Sequence, residues 1–156
     1  MIQLALALLA TARAAAALEA SVSFDVLVYG ATPGGVASAV AAAREGARVA
    51  LAEPSLYIGG ATSGGLGQSD YGPHARRVMG ERSISTEFFR RVAAHYNVSF
   101  FWPPDFQCGQ HHVPWVSEPH VAEQVMVDML AEANVTVLRG TRIDDVRIAR
   151  ETETET

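Results

Sequence analysis

The chain has 156 residues, of which 49% are hydrophobic and 19% charged, with a formal net charge of −5. That is about one domain's length with enough apolar content for a buried core, which argues against wholesale disorder. The acidic balance argues against a general nucleic-acid binder, which carries a basic stripe. All 12 basic residues are arginine, so the chain offers no lysine Schiff base or lysine general base.

In chain order, "MIQLALALLATARAAAALEA" (1–20) is apolar and alanine-rich, with Ala15 and Ala17 in an A-x-A arrangement. It reads as a signal peptide cleaved between Ala17 and Ala20, which places the product in the secretory pathway or an organelle lumen. An uncleaved tail or an organelle-targeting segment is the alternative. The apolar run stops short of the ~20 residues of a membrane span. Two sequons, Asn97-Val98-Ser99 and Asn134-Val135-Thr136, are compatible with secretion. Cys108 is the single cysteine, so no internal disulfide forms.

Residues 24–29 are rich in valine, leucine and aromatics and predict a fully buried strand. A turn over 30–35 leads into an alanine- and valine-rich helix over 34–45, ended by Gly46. A second buried strand over 48–52 finishes at Glu53. The three make a βαβ unit of about 30 residues. Residues 54–82 are glycine-rich without hydrophobic period and predict a long loop near a ligand.

Ser83 or Ser85 caps a helix over 84–96 with Phe88, Val92 and Tyr96 on one face. An irregular aromatic segment follows over 97–115, and Ser117-Glu118-Pro119 opens a helix to about 133, with Val121, Val125 and Met129 as its packing stripe. Strands are expected over 135–138 and 143–148, and residues 150–156, ending in "ETETET", are a low-complexity tail. This order predicts an α/β domain with a parallel sheet over 21–149.

The turn Gly30-Ala31-Thr32-Pro33-Gly34-Gly35 departs from G-x-G-x-x-G at its middle glycine. In that fingerprint the first glycine permits the tight turn, the second admits the pyrophosphate to the backbone, and the third lets helix and strand pack. Gly30 and Gly35 keep the first and third positions. A β-branched Thr32 at the second requires an ordinary φ or strain, and its hydroxyl is available to a phosphate. Pro33 suits the first helical position, and the pyrophosphate would face the helix N-terminus. Glu53, 23 positions after Gly30, stands where a carboxylate bonds ribose hydroxyls and repels the 2′-phosphate of NADP.

A second glycine cluster, "YIGGATSGGLGQSD" (57–70), follows almost at once. Together the two clusters resemble the N-terminal portion of the FAD-dependent oxidoreductase family with a glutathione-reductase-type flavin domain. More closely, the chain resembles a branch with a "YGATPxGVxxA" turn, a "GGxxxGGLG" loop and an "EPHVAE" segment. These stand here at 29–39, 59–67 and 118–123, and the resemblance spans 24–148.

It implies a Rossmann-like FAD/NAD(P)-binding domain, FAD as cofactor, Gly30, Ala31, Thr32, Pro33, Gly34 and Gly35 as the pyrophosphate turn, and Glu53 as the ribose acid. It also implies backbone contacts from Gly59 and Gly60 to the flavin diphosphate or ribityl chain, and an adenine-facing main chain within 135–143, with Ile143 the best candidate. A short-chain dehydrogenase fails because Val36 stands at its last glycine and its Tyr-x-x-x-Lys pair has no lysine.

Cys108, His111, His112 and His120 are close in sequence but fit no standard zinc spacing, so no metal is expected. Phe100, Phe101, Trp102, Phe106 and Trp115 are expected to form a satellite core. The expectation is thus the FAD-binding portion of a secreted oxidoreductase acting on a small molecule that the sequence does not specify. No catalytic acid, base or nucleophile is identified, and oligomeric state is open. No substrate domain or returning segment precedes "ETETET", so the domain is expected to be incomplete and the chain an N-terminal piece of a longer protein. The alternatives are a catalytically inactive nucleotide-binding fragment and a partly folded, non-binding remnant.

Overall fold

The computed structural model describes residues 23–67, 77, 79–100 and 115–148. The leader, Phe101, Trp102, Phe106, Cys108, His111, His112 and the tail lie outside the described residues. Within them the chain runs β1 (Val26–Tyr29), α1 (Pro33–Arg44), β2 (Val49–Glu53), the one-turn α2 (Gly60–Ser63), α3 (Ile84–His95), α4 (Pro119–Glu132) and β3 (Thr136–Arg139). Among these residues no helix is long and apolar enough to cross a membrane.

The three strands form a parallel sheet in the order β1-β2-β3. This is the 3-2-1 half of the doubly wound order 3-2-1-4-5-6, so the expected Rossmann-like α/β class holds. Side chains alternate across a strand, and the register aligns Val28 with Leu51 and Leu51 with Val137. These residues join the core with Val36, Ala39 and Val40 of α1 and Ala122, Met126 and Leu130 of α4. Of the α1 alanines only Ala39 is fully buried, between Val36 and Val40 on the face that meets the core. Phe88 and Val92 bring α3 onto the same cluster.

Two expectations need correction. β2 is buried along its length, but β1 is not: Leu27 and Tyr29 are 55% and 50% exposed. Only the central strand has neighbours on both edges, and nothing among the described residues covers the outer face of β1. The second correction concerns 143–148, which form no strand. Ile143 is out of phase with Val146 and Ile148, adjacent Asp144 and Asp145 interrupt them, and no described strand pairs with them.

Helix ends follow the cap rules. Ser83, not Ser85, caps α3 by accepting from the Thr86 N–H (3.0 Å). Asn97 and Asn134 close α3 and α4 in left-handed conformation (φ 54° and 57°), where asparagine substitutes for glycine. The expected stripe of α4 is buried, as are Phe88 and Val92 of α3. Trp115 is buried against Phe89, with ring centroids 4.3 Å apart, and Phe100 lies 6.1 Å from it.

An ion network ties the helices together. Arg44 of α1 donates twice to Glu87 of α3, at 2.6 and 2.8 Å, and Arg91 bridges Glu87 to Glu132 of α4. Arg44, then Arg91, lowers the Glu87 pKa from 4.5 to about 2. A depressed carboxylate contributes stability above its unfolded pKa and loses it as pH falls through its folded pKa. Glu87→Gln is therefore expected to cost about 1 kcal/mol at neutral pH, partly screened because the pairs are half-exposed. In urea titrations the difference from the parent should hold above pH 5 and shrink between 4.5 and about 2. A difference independent of pH would assign the loss to packing.

Candidate functional site

The β1–α1 turn is built on the contact between Gly30 and Gly35. Gly30 takes φ +96°, a conformation open to glycine, and its N–H extends the ladder to the Ala52 carbonyl (2.8 Å). A Cβ at Gly35 would lie well under 3.0 Å from the Gly30 carbonyl oxygen, so α1 presses on the end of β1 with no room for a side chain. Thr32 sits at an ordinary φ of −66° and is the N-cap of α1, its hydroxyl accepting from the Gly35 N–H at 3.1 Å.

The hydroxyl thus serves the helix first. An oxygen that accepts still has its own proton to donate, so a phosphate contact remains open to it. Pro33 stands at the first helical position. Thr32, Pro33 and Gly34 are solvent-exposed. Thr32→Ala is expected to cost about 1 kcal/mol of stability and Thr32→Gly only a few tenths, as for other N-caps. Thermal unfolding of the two variants checks the ranking, and equal losses would remove the cap from the account.

Glu53 does more than stand free for a ribose. Its Oε2 accepts from the Ala31 N–H (2.7 Å) and its Oε1 from the Ser55 N–H (2.8 Å). The bonds from Ser55 and Ala31 hold its pKa below 4.5 against partial burial. The carboxylate therefore staples the turn to the end of β2 and keeps its charge. Its remaining lone pairs are free to accept further hydrogen bonds.

The second glycine segment meets the first at the same residue. The Gly59 N–H donates to the Ala31 carbonyl (2.7 Å), so Ala31 is bridged on one side to Glu53 and on the other to Gly59. Gly59 has φ +112°, and a Cβ there would meet Ser63 Oγ at 2.6 Å and Met126 Sδ at 2.8 Å. Gly60 approaches Thr32 so closely that its Cβ would lie 3.4 Å from the Thr32 Cα.

The structure therefore brings Gly30, Ala31, Thr32, Pro33, Gly34, Gly35, Glu53, Gly59 and Gly60 into one constellation. Ile143 stands apart: it is 37% exposed and lies two residues beyond Thr141, whose N–H reaches the Glu53 carbonyl (3.0 Å). His120 is exposed at the start of α4, and the described residues contain no group of three that could hold a metal.

Sequence reasoning missed Glu123 and Arg139. Glu123 Oε1 accepts from the Ile58 N–H (3.0 Å) and from Arg139 (3.1 Å), and Arg139 also donates to the Leu56 carbonyl (2.6 Å). A signal existed. Glu123 precedes Met126 by three positions and Leu130 by seven, so a carboxylate stands on the buried face of an otherwise apolar stripe.

The parallel βαβ unit, the glycine turn pressed on β1 and the acid at the end of β2 define a dinucleotide-binding domain of the Rossmann type. Residues 25–155 match the profile of the FAD dependent oxidoreductase family, and the chain belongs to that family. FAD is the cofactor this membership implies. Among solved structures the chain is similar to THI4 of Thermovibrio ammonificans, with 15% identity and a TM-score of 0.44. The match covers 87% of this chain and 46% of that one, so the chain spans less than half of its length. Comparison with curated proteins finds no match.

Proposed function

We propose that this chain is the FAD-binding portion of a secretory-pathway oxidoreductase of the glutathione-reductase-type branch, acting on a small molecule. The observation that carries the proposal is Ala31, bridged through its N–H to Glu53 and through its carbonyl to Gly59, which locks both glycine segments and Glu53 into one cradle. The residues fit a dinucleotide. The tight Gly30–Gly35 contact leaves the exposed side of the turn to a diphosphate, and the ionised Glu53 faces a ribose with lone pairs to spare.

Bound FAD would supply the redox chemistry, taking up a hydride or electrons. The protein's part is to bind and orient it. The Thr32 hydroxyl and the α1 N-terminus would hold the pyrophosphate, Glu53 the ribose, and the main chain of Gly59 and Gly60 the flavin diphosphate or ribityl chain. Ile143 remains the proposed adenine contact, supported by the tether of Thr141 to the Glu53 carbonyl.

Calorimetric titration of the purified chain with FAD, with visible absorbance of the protein as isolated, tests this. Saturable binding of one FAD is expected. A flat titration with broad, non-cooperative melting sinks the proposal in favour of a non-binding remnant. Binding without turnover of any donor to a dye would identify a silent nucleotide-binding module. For the leader, N-terminal sequencing of protein exported by a secreting host should begin between residues 18 and 21; an intact Met1 would reject cleavage.

A further inference from the structure

We propose that Glu123 and Arg139 are positioning residues for the cofactor, acting through the 54–59 segment that joins β2 to α2. The inference rests on the flavin reading of the site. Neither side chain belongs to the glycine turn, and they come from α4 and the end of β3. Between them they take hold of the segment at consecutive points.

Glu123 accepts the Ile58 N–H at 3.0 Å, and Arg139 grips the Leu56 carbonyl at 2.6 Å while pairing with Glu123 at 3.1 Å. Main-chain bonds continue the grip. The Gly140 N–H donates to the Ser55 carbonyl (2.9 Å) and the Thr141 N–H to the Glu53 carbonyl (3.0 Å). The segment so held leads directly into Gly59, whose own N–H bonds the Ala31 carbonyl inside the turn.

The physics favours a positional role over a merely stabilising one. Ile58 is fully buried, so its N–H needs an acceptor in place of water. A charged acceptor fixed by a guanidinium binds it more tightly and directionally than a neutral one. Gly59 follows at φ +112°, packed so closely that a Cβ there would lie 2.6 Å from Ser63 Oγ and 2.8 Å from Met126 Sδ. Rotation of the Ile58 peptide away from Glu123 therefore cannot be absorbed at Gly59. It must be passed on to the Gly59–Ala31 bond and hence to the turn.

The test uses the full chain and three variants, Glu123→Ala, Glu123→Gln and Glu132→Gln. The first removes the acceptor, the second keeps an amide oxygen for Ile58 but not the charge, and the third weakens the ion network between α3 and α4. Two quantities are read: amide hydrogen exchange at Ile58 and Gly59 without cofactor, and FAD affinity by calorimetry.

Glu123→Ala is expected to speed exchange at both amides and to weaken FAD binding about ten-fold, equivalent to about 1.4 kcal/mol. Glu123→Gln should restore most of both, and Glu132→Gln should lower the melting temperature without changing FAD affinity. Unchanged exchange in Glu123→Ala overturns the proposal, as does faster exchange with parental FAD affinity. Equal loss of affinity in Glu132→Gln also overturns it, by showing that any destabilisation suffices. A parent chain that takes up no FAD rejects the flavin reading and the cofactor half of the proposal. The exchange data then still decide whether Glu123 holds the segment.

Discussion

Gly35→Ala is expected to destabilise the fold by about 3 kcal/mol, the upper range for forcing an extra methyl into a packed site. The melting temperature should fall by roughly 10 °C for a domain of this size. The added Cβ would lie well under 3.0 Å from the Gly30 carbonyl oxygen. That oxygen is backbone at the end of β1 and cannot swing aside as a flexible side chain would. Relief requires α1 to lift from the sheet, which opens the contacts of Val36, Ala39 and Val40 with the core.

Gly34→Ala is the matched control. Its Cβ would find only the Thr32 Oγ1, at 3.9 Å, and alanine is the better helix former by about 1 kcal/mol. One methyl group, moved by one residue, should change the sign of its effect. Circular-dichroism melts of both variants decide the matter, and comparable losses at the two positions would show that α1 does not depend on the Gly30–Gly35 contact.

Local patterning made most of this fold legible. The βαβ unit announces itself through an apolar run, a glycine turn, an alanine helix and a second apolar run ending in an acid. The structure places these elements within a residue or two of their expected bounds. Sequence narrows the cap of α3 to Ser83 or Ser85, because a serine oxygen competes for helix N–H groups in any context, whereas the capping role of Thr32 is not read from it.

What local pattern could not supply was the identity of neighbours. β1 reads as buried from composition, yet its exposure is decided by its edge position, which composition does not encode. Residues 143–148 are β-prone enough to suggest a strand, but a strand exists only with a partner. Glu123 belongs to the same class. Its role arises because α4 crosses the β2–α2 connection 65 positions away from it in sequence.

The middle position of the turn was half legible. The β-branch of Thr32 leaves an ordinary φ or strain, and the structure has the ordinary one, φ −66°. The hydroxyl, expected to face a phosphate, spends its acceptor side on the Gly35 N–H. A glycine fingerprint with threonine in the middle therefore gains a helix cap where it loses backbone access.

Glu53 carries the second large expectation, because one carboxylate holds the turn and offers itself to a ligand. Glu53→Ala leaves the Ala31 and Ser55 N–H groups without their acceptor and is expected to cost about 2 kcal/mol, the scale of hydrogen bonds to a charged group. Glu53→Gln should be nearly as damaging despite its shape. Both carboxylate oxygens accept from backbone N–H groups, and an amide can present an oxygen to only one of them. Its NH₂ must then face the other N–H, donor against donor.

The pH dependence fixes the cause. The Ser55 and Ala31 N–H groups lower the Glu53 pKa below 4.5 in the folded state. A group so depressed adds stability above its unfolded pKa and loses it as pH falls through its folded pKa. Denaturant unfolding of parent and Glu53→Gln should therefore differ by a constant amount at pH 6–8 and converge as pH falls below 4.5. A gap that persists at the acid end would assign the loss to shape, not charge. FAD affinity, measured where both proteins are fully folded, then separates the two duties. If Glu53 only staples the turn, affinity should recover once folding is saturated. If it also accepts the ribose hydroxyls, the folded Glu53→Gln protein should still bind FAD about ten-fold more weakly, a difference of about 1.4 kcal/mol.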